Sequence, residues 1–186
     1  EIVPGVRWDL ASRSIVRYID LRSPRKIHNL TREGKRFNSV PSPDGELLSV
    51  TEYPVSGGSR LTILRAQDGS LAKTCLAPDS LQFVEPVWLE DRIFGSGLSD
   101  KGFGLYEILG RDPGGKARLR KWLGPQPVMI DDLGVENGRV SFISDRTGVE
   151  ELYFLDPDSG ELRQMSSTRY GLQHPCFNAA GDTLYY

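Results

Sequence analysis

Two pairs of adjacent carboxylates, Asp131-Asp132 and Glu150-Glu151, are the first residues here whose types suit chemistry. General acid–base work needs carboxyl groups that face one reacting centre. Neighbours on a strand point to opposite faces, so neither pair is expected to act together. The only histidines, His28 and His174, stand in different parts of the chain, which predicts neither a His-rich metal site nor a serine–histidine base pair. Cys75 and Cys176 are about a hundred positions apart, fit no metal spacing and read as unpaired, buried thiols. Gly95-Ser96-Gly97 and Ser56-Gly57-Gly58-Ser59 read as hairpin loops. The sequence holds no G-x-S-x-G elbow, H-E-x-x-H pair, Walker sequence or G-x-G-x-x-G loop. It reads as non-catalytic, with no cofactor and no bound metal.

The elements around these residues are short and polar-edged. Twenty glycines and twelve prolines punctuate the 186 residues at close intervals, and no stretch keeps a 3.6-residue apolar period, so an all-β protein is expected. Lysine and arginine (23) nearly balance aspartate and glutamate (25), which predicts no nucleic-acid partner. The one dense basic run, Lys116–Lys121, alternates with apolar residues and reads as the solvent face of an edge strand. No apolar run approaches the roughly 18 residues of a membrane helix, and no helical membrane insertion is expected. The chain starts at Glu1 without a methionine, as expected of a processed or trimmed piece.

Val140–Arg163 is the clearest stretch. Two apolar runs, Val140–Ile143 and Leu152–Leu155, flank the polar turn Ser144–Gly148, and Asp156-Pro157-Asp158-Ser159-Gly160 makes a second turn. This strand–turn–strand meander recurs. The first tight turn of each unit is Pro43-Asp44-Gly45, Glu90-Asp91, Asn137-Gly138 and Gly181-Asp182, at steps of roughly 43 to 47 residues. A later turn recurs at Pro24, Asp68-Gly69, Pro113-Gly114 and Ser159-Gly160, with a similar apolar strand before each. Four strands per unit at this period predict a β-propeller of four-stranded antiparallel blades. The blades fall at 37–81, 82–126 and 127–170, with partial blades at 1–36 and 171–186. About four blade equivalents are present. They are expected to belong to a larger propeller, the alternative being a closed four-bladed ring.

Ser39–Gly45, Pro86–Asp91 and Pro175–Gly181 resemble the P-x-W-S-P-D-G box of TolB-like, WD40-like propeller repeats. Phe142–Gly148 followed by Leu152–Asp156 is similar to the F-x-S-D-R-x-G…I-Y-x-x-D box of the same family. Ser99-Asp100-Lys101-Gly102 is a weaker copy, and the third unit has Asp132 and Gly134 in place of the Pro and Trp. In this pattern the box aromatic is expected to fill the gap between blades. Asp145 is expected to accept N–H bonds within its own turn, with Arg146 as its ionic partner.

The resemblance implies a protein-binding or substrate-positioning module of a larger bacterial envelope protein, periplasmic or secreted, with a protein or peptide partner. The alternatives are the non-catalytic propeller of a prolyl-oligopeptidase-like or tricorn-like peptidase whose active site lies outside this chain, and then a free-standing four-bladed ligand binder. Asn38, Glu85, Asp131 and His174 precede the family's Pro position in the four units. That register is expected to set them at one height on the innermost strands, at a mouth of the central channel, where they could receive a peptide terminus or an ion.

Overall fold

A computed structural model describes residues 13–22, 24–178 and 180–186, and every regular element among them is a strand. Residues 1–12 of the first partial blade, Ser23 and Ala179 of the last box lie outside the described residues. The first hairpin pairs β1 (Arg17–Ile19) with β2 (Ile27–Asn29). Three four-stranded antiparallel meanders follow. The first is β3 (Arg36–Pro41), β4 (Leu47–Glu52), β5 (Arg60–Arg65) and β6 (Leu71–Leu76). The second is β7 (Gln82–Leu89), β8 (Arg92–Ser99), β9 (Gly102–Arg111) and β10 (Ala117–Gln126). The third is β11 (Asp131–Glu136), β12 (Arg139–Ser144), β13 (Glu151–Leu155) and β14 (Leu162–Gln164). A final hairpin pairs β15 (Cys176–Phe177) with β16 (Leu184–Tyr185). These sheets pack face against face in chain order, as the blades of a β-propeller do.

The side-chain period of a strand explains why the central strands read as unbroken apolar runs. On β13, Tyr153 and Leu155 turn toward the second blade, where they meet Val87, Phe94 and Leu105. Leu152 and Phe154, on the opposite face, join Leu172, Phe177 and Leu184 beside the last hairpin. A strand buried on both faces needs no polar alternation. The seam between first and second blades holds Leu61, Ile63, Cys75, Phe83, Trp88 and Ala117. Trp88, the box aromatic, does fill this gap, and its indole N–H donates to the Val40 carbonyl at 3.2 Å. The first hairpin docks through Val16 and Leu30 onto Val50 and Leu64.

The turns follow their residue chemistry. Asn137 and Gly138 both have positive φ, 50° and 75°, as a two-residue type I′ hairpin requires. In the first blade Asp44 Oδ1 accepts the Glu46 N–H at 3.0 Å, closing the Pro43–Glu46 loop. The basic run from Ala117 on lies on β10, which pairs only with β9 and carries three register shifts, features that discourage edge-to-edge pairing, while Lys116 just before it bridges Leu76 of the first blade.

Two local expectations change. Asp145 leaves its own turn and accepts the Met129 N–H at 2.7 Å, tying the β12–β13 turn to the approach to β11. Arg146 lies over the Tyr153 ring of the same hairpin at 5.4 Å instead of pairing with Asp145. Of the thiols, Cys75 is buried as expected, but Cys176 is exposed, and both are free.

Candidate channel-mouth site

The first strand of each blade carries a kink. Register shifts interrupt β3 between Phe37 and Val40, β7 between Phe83 and Pro86, and β11 between Asp131 and Gly134. Asn38 (φ 51°) and Asp132 (φ 50°) take left-handed backbone inside two of these bulges, and His174 (φ 51°) does so just before β15. Asn, Asp and His are the non-glycine residues that best tolerate this conformation. A bulge re-aims side chains along the strand. Here it aims them at the neighbouring blade.

Three bonds cross the seams at this level. Asn38 Nδ2 donates to the Val84 carbonyl at 2.9 Å. The Leu133 N–H donates to Glu85 Oε2 at 3.2 Å. The His174 N–H donates to Asp132 Oδ2 at 2.9 Å, and His174 Nδ1 lies 3.3 Å from the same oxygen. Each blade thus grips the backbone of the next through one inner-strand side chain. The first seam adds Thr51 Oγ1 to the Val84 carbonyl at 3.0 Å and the Tyr53 hydroxyl to the Phe83 carbonyl at 2.8 Å.

Counted from the bulges, Asn38 shares its position with Val84 and Asp132, and His174 takes the same left-handed backbone ahead of β15. Glu85 stands one residue later and Asp131 one residue earlier. Glu85 reaches the β11 backbone at Leu133, directly after Asp131-Asp132, while Asn38 and His174 engage adjacent blades separately. Asp132 is the site residue that motif reasoning passes over. Its signal was its place where the repeat has proline, because losing proline restores freedom of φ. The bulge also interrupts the regular alternation expected of Asp131-Asp132, and the Asp132 carboxylate turns to the last hairpin. Glu150 and Glu151 do diverge: Glu150 takes Gln173 Nε2 at 2.8 Å, and buried Glu151 takes the Thr168 N–H at 2.6 Å and the Ser166 hydroxyl.

Burial pushes the Glu85 carboxyl above the usual glutamate range. The Leu133 N–H pulls it down, and the negative charges of Asp131 and Asp132 push it further up. Beyond these bonds, an open cleft of about 460 Å³ runs between β11 and the last hairpin, lined by Asp132, Gly134, Glu136, Ser141, His174 and Phe177. The arrangement is acidic and suits proton uptake or a cationic group. Among the described residues no three His, Cys, Asp or Glu side chains converge as a metal site. His28 stacks on Tyr18, with ring centroids 4.9 Å apart.

No protein-family model matches the chain, and no curated protein matches it significantly. Solved structures do. A prolyl endopeptidase structure matches 90% of this chain and 25% of its own at 14% identity and a TM-score of 0.60. A Mycobacterium tuberculosis puromycin-hydrolyzing peptidase matches 78% of this chain and 24% of its own at 14% identity and a TM-score of 0.56. For Pyrococcus horikoshii acylaminoacyl peptidase the values are 91% and 37%, at 10% identity and a TM-score of 0.53. The chain spans about a quarter of the length of the first two, and identities this low establish a shared fold alone.

Proposed function

We propose that this chain is the non-catalytic propeller segment of a larger peptidase, and that its channel mouth admits or holds peptide. The observation that carries the reading is that these solved structures, each called a peptidase, share this chain's fold over most of its length while the chain spans only a fraction of theirs. The TolB-like boxes fit the same reading as blade-forming repeats. Asn38, Glu85, Asp131 and His174, joined by Asp132, offer hydrogen-bond acceptors and negative charge to an incoming peptide amine.

The test is to purify the native gene product from its source cells, determine its intact mass and treat it with an active-site serine probe. The expected result is a mass well above 20.7 kDa, hydrolysis of small peptide substrates, and a probe adduct mapping outside residues 1–186. A product near 20.7 kDa that neither hydrolyses peptides nor takes up probe would overturn the reading.

A further inference from the structure

A buried serine meets the cleft between β11 and the last hairpin with its hydrogen-bonding capacity unused. Ser141 of β12 is only 4% exposed and lines the cleft, and among the described residues nothing bonds to its hydroxyl. Buried hydroxyls are ordinarily paired, so one left open toward a cleft points to a group that arrives from outside. Its cross-strand partner is Gly134, where a Cβ would stand 2.7 Å from Ser141 Oγ. The corresponding pair of the first blade, next after the bulge, is Val40 and Ser49. There the valine packs into the seam, and the serine hydroxyl donates to the Val40 carbonyl at 3.2 Å. In the third blade glycine removes that side chain, and the serine hydroxyl is left over.

Carboxylates stand before and after Gly134 on the same strand. Glu136 lies two residues on, hence on the same face and about 7 Å along. It lines the cleft, and among the described residues its carboxylate has no bonded partner. Arg139, opposite Glu136 in the register, forms no ion pair with it and borders a separate hollow with Asp156 and Glu161. Asp132 Oδ2 accepts the His174 N–H at 2.9 Å and lies 3.3 Å from His174 Nδ1, which leaves Oδ1 unbonded among the described residues. Pro175 and Phe177 of the opposite wall are apolar.

We propose that this cleft binds a primary ammonium group carried on a short apolar stem. Glu136 and Asp132 Oδ1 supply the charge, Ser141 Oγ is the buried acceptor, and the stem lies against Phe177. An ammonium has three donors and no acceptor, which matches two carboxylates and a hydroxyl. The volume of about 460 Å³ suits a ligand the size of a long side chain or a dipeptide. The amino terminus of a peptide and the side chain of a lysine both carry this chemistry. The assignment rests on the reading of the chain as a module that holds peptide, and it adds where the amine goes.

Calorimetric titration of the full chain at pH 7 tests it, with alanyl-phenylalanine amide and Nα-acetyl-lysine amide as probes, each beside the form whose free amine is acetylated. At least one free amine is expected to bind, the one that does identifies the source, and acetylation abolishes the binding. Glu136→Gln and Ser141→Ala are each expected to weaken it about five- to tenfold. Gly134→Ala, whose methyl pushes the hydroxyl aside, should act like Ser141→Ala. Asp100→Asn, on an exposed turn of the second blade, should leave it unchanged. No binding of either amine up to about 10 mM, equal binding of the acetylated forms, or a Glu136→Gln variant that binds as well as Asp100→Asn overturns the site. The peptidase reading is decided separately, by intact mass and the serine probe, so the two can fail independently. Should the cleft variants not fold, amide chemical shifts of the unaltered protein decide. Movement at Gly134 and Ser141 on adding the amine supports the site, and unmoved signals overturn it.

Discussion

Replacing Trp88 separates the two things this side chain does. It is 9% exposed and fills the seam between the first and second blades, against Leu61, Ile63 and Phe83. It also donates its indole N–H to Val40 of the first blade. A tryptophan buries about 150–250 Å², so at about 25 cal/mol per Å² removing nine-tenths of that contact costs roughly 3–6 kcal/mol, an upper range. Large-to-small core substitutions of aromatics lose about 3–5 kcal/mol, in agreement. Trp88→Phe keeps most of the filling and drops the hydrogen bond, and the Val40 carbonyl retains the Ser49 hydroxyl at 3.2 Å. The Phe variant should therefore lose only about 1–2 kcal/mol. At about 2–4 °C per kcal/mol for a chain of this size, thermal melts should fall by about 6–20 °C for Trp88→Ala and about 2–8 °C for Trp88→Phe. An alanine variant that melts within 2 °C of the parent, or a phenylalanine variant as damaged as the alanine one, would refute the reasoning.

Buried Glu151 gives a second prediction. Burial pushes its carboxyl up, but the Ser166 hydroxyl and the Thr168 N–H and hydroxyl more than offset this and hold it below the usual range. A lowered group stabilises above the unfolded glutamate value and loses that contribution as pH falls through the folded value. Glu151→Gln should cost about 2–3 kcal/mol at pH 7 and flatten the acid side of the stability curve, measured by urea unfolding from pH 7 to pH 3. Docking of the first hairpin is tested at Gly69, which has φ +71° and where a Cβ would lie 2.1 Å from the Leu30 carbonyl oxygen. Gly69→Ala should expose the Leu30 amide to hydrogen exchange and lower the melt by more than about 4 °C. Gly57→Ala, also at positive φ but with no atom within 4 Å, should bring only the backbone cost of about 1–2 kcal/mol and leave Leu30 protected.

Blade strands and turns were legible because they rest on local chemistry. Asn137-Gly138 can hardly be anything but a tight hairpin, and Leu152–Leu155 reads as a strand with two buried faces. The kinks at the blade starts were not legible in register. A bulge adds one residue to a strand without any mark in composition, so Glu85 and Asp131 fall one residue either side of the bulge position that Asn38 holds. Asp145 was misread for a similar reason. Its short carboxylate reaches Met129, sixteen residues back in the chain, and only the packed fold brings that amide within reach.

The division of labour across the seams explains why polar side chains gather at the inner strands. β4, β5, β12 and β13 are mostly buried and supply the apolar contact that holds blade to blade. β3 is half-exposed to exposed along its whole length, and β11 is nowhere fully buried. Burial alone cannot fix where such strands sit relative to one another, since non-directional contact tolerates sliding. Hydrogen bonds do not: Asn38 to Val84, Leu133 to Glu85 and His174 to Asp132 each accept one register. One of these three bonds ends on the Glu85 carboxyl, which burial holds above the usual glutamate range, so the seam between the second and third blades is joined through a titratable group.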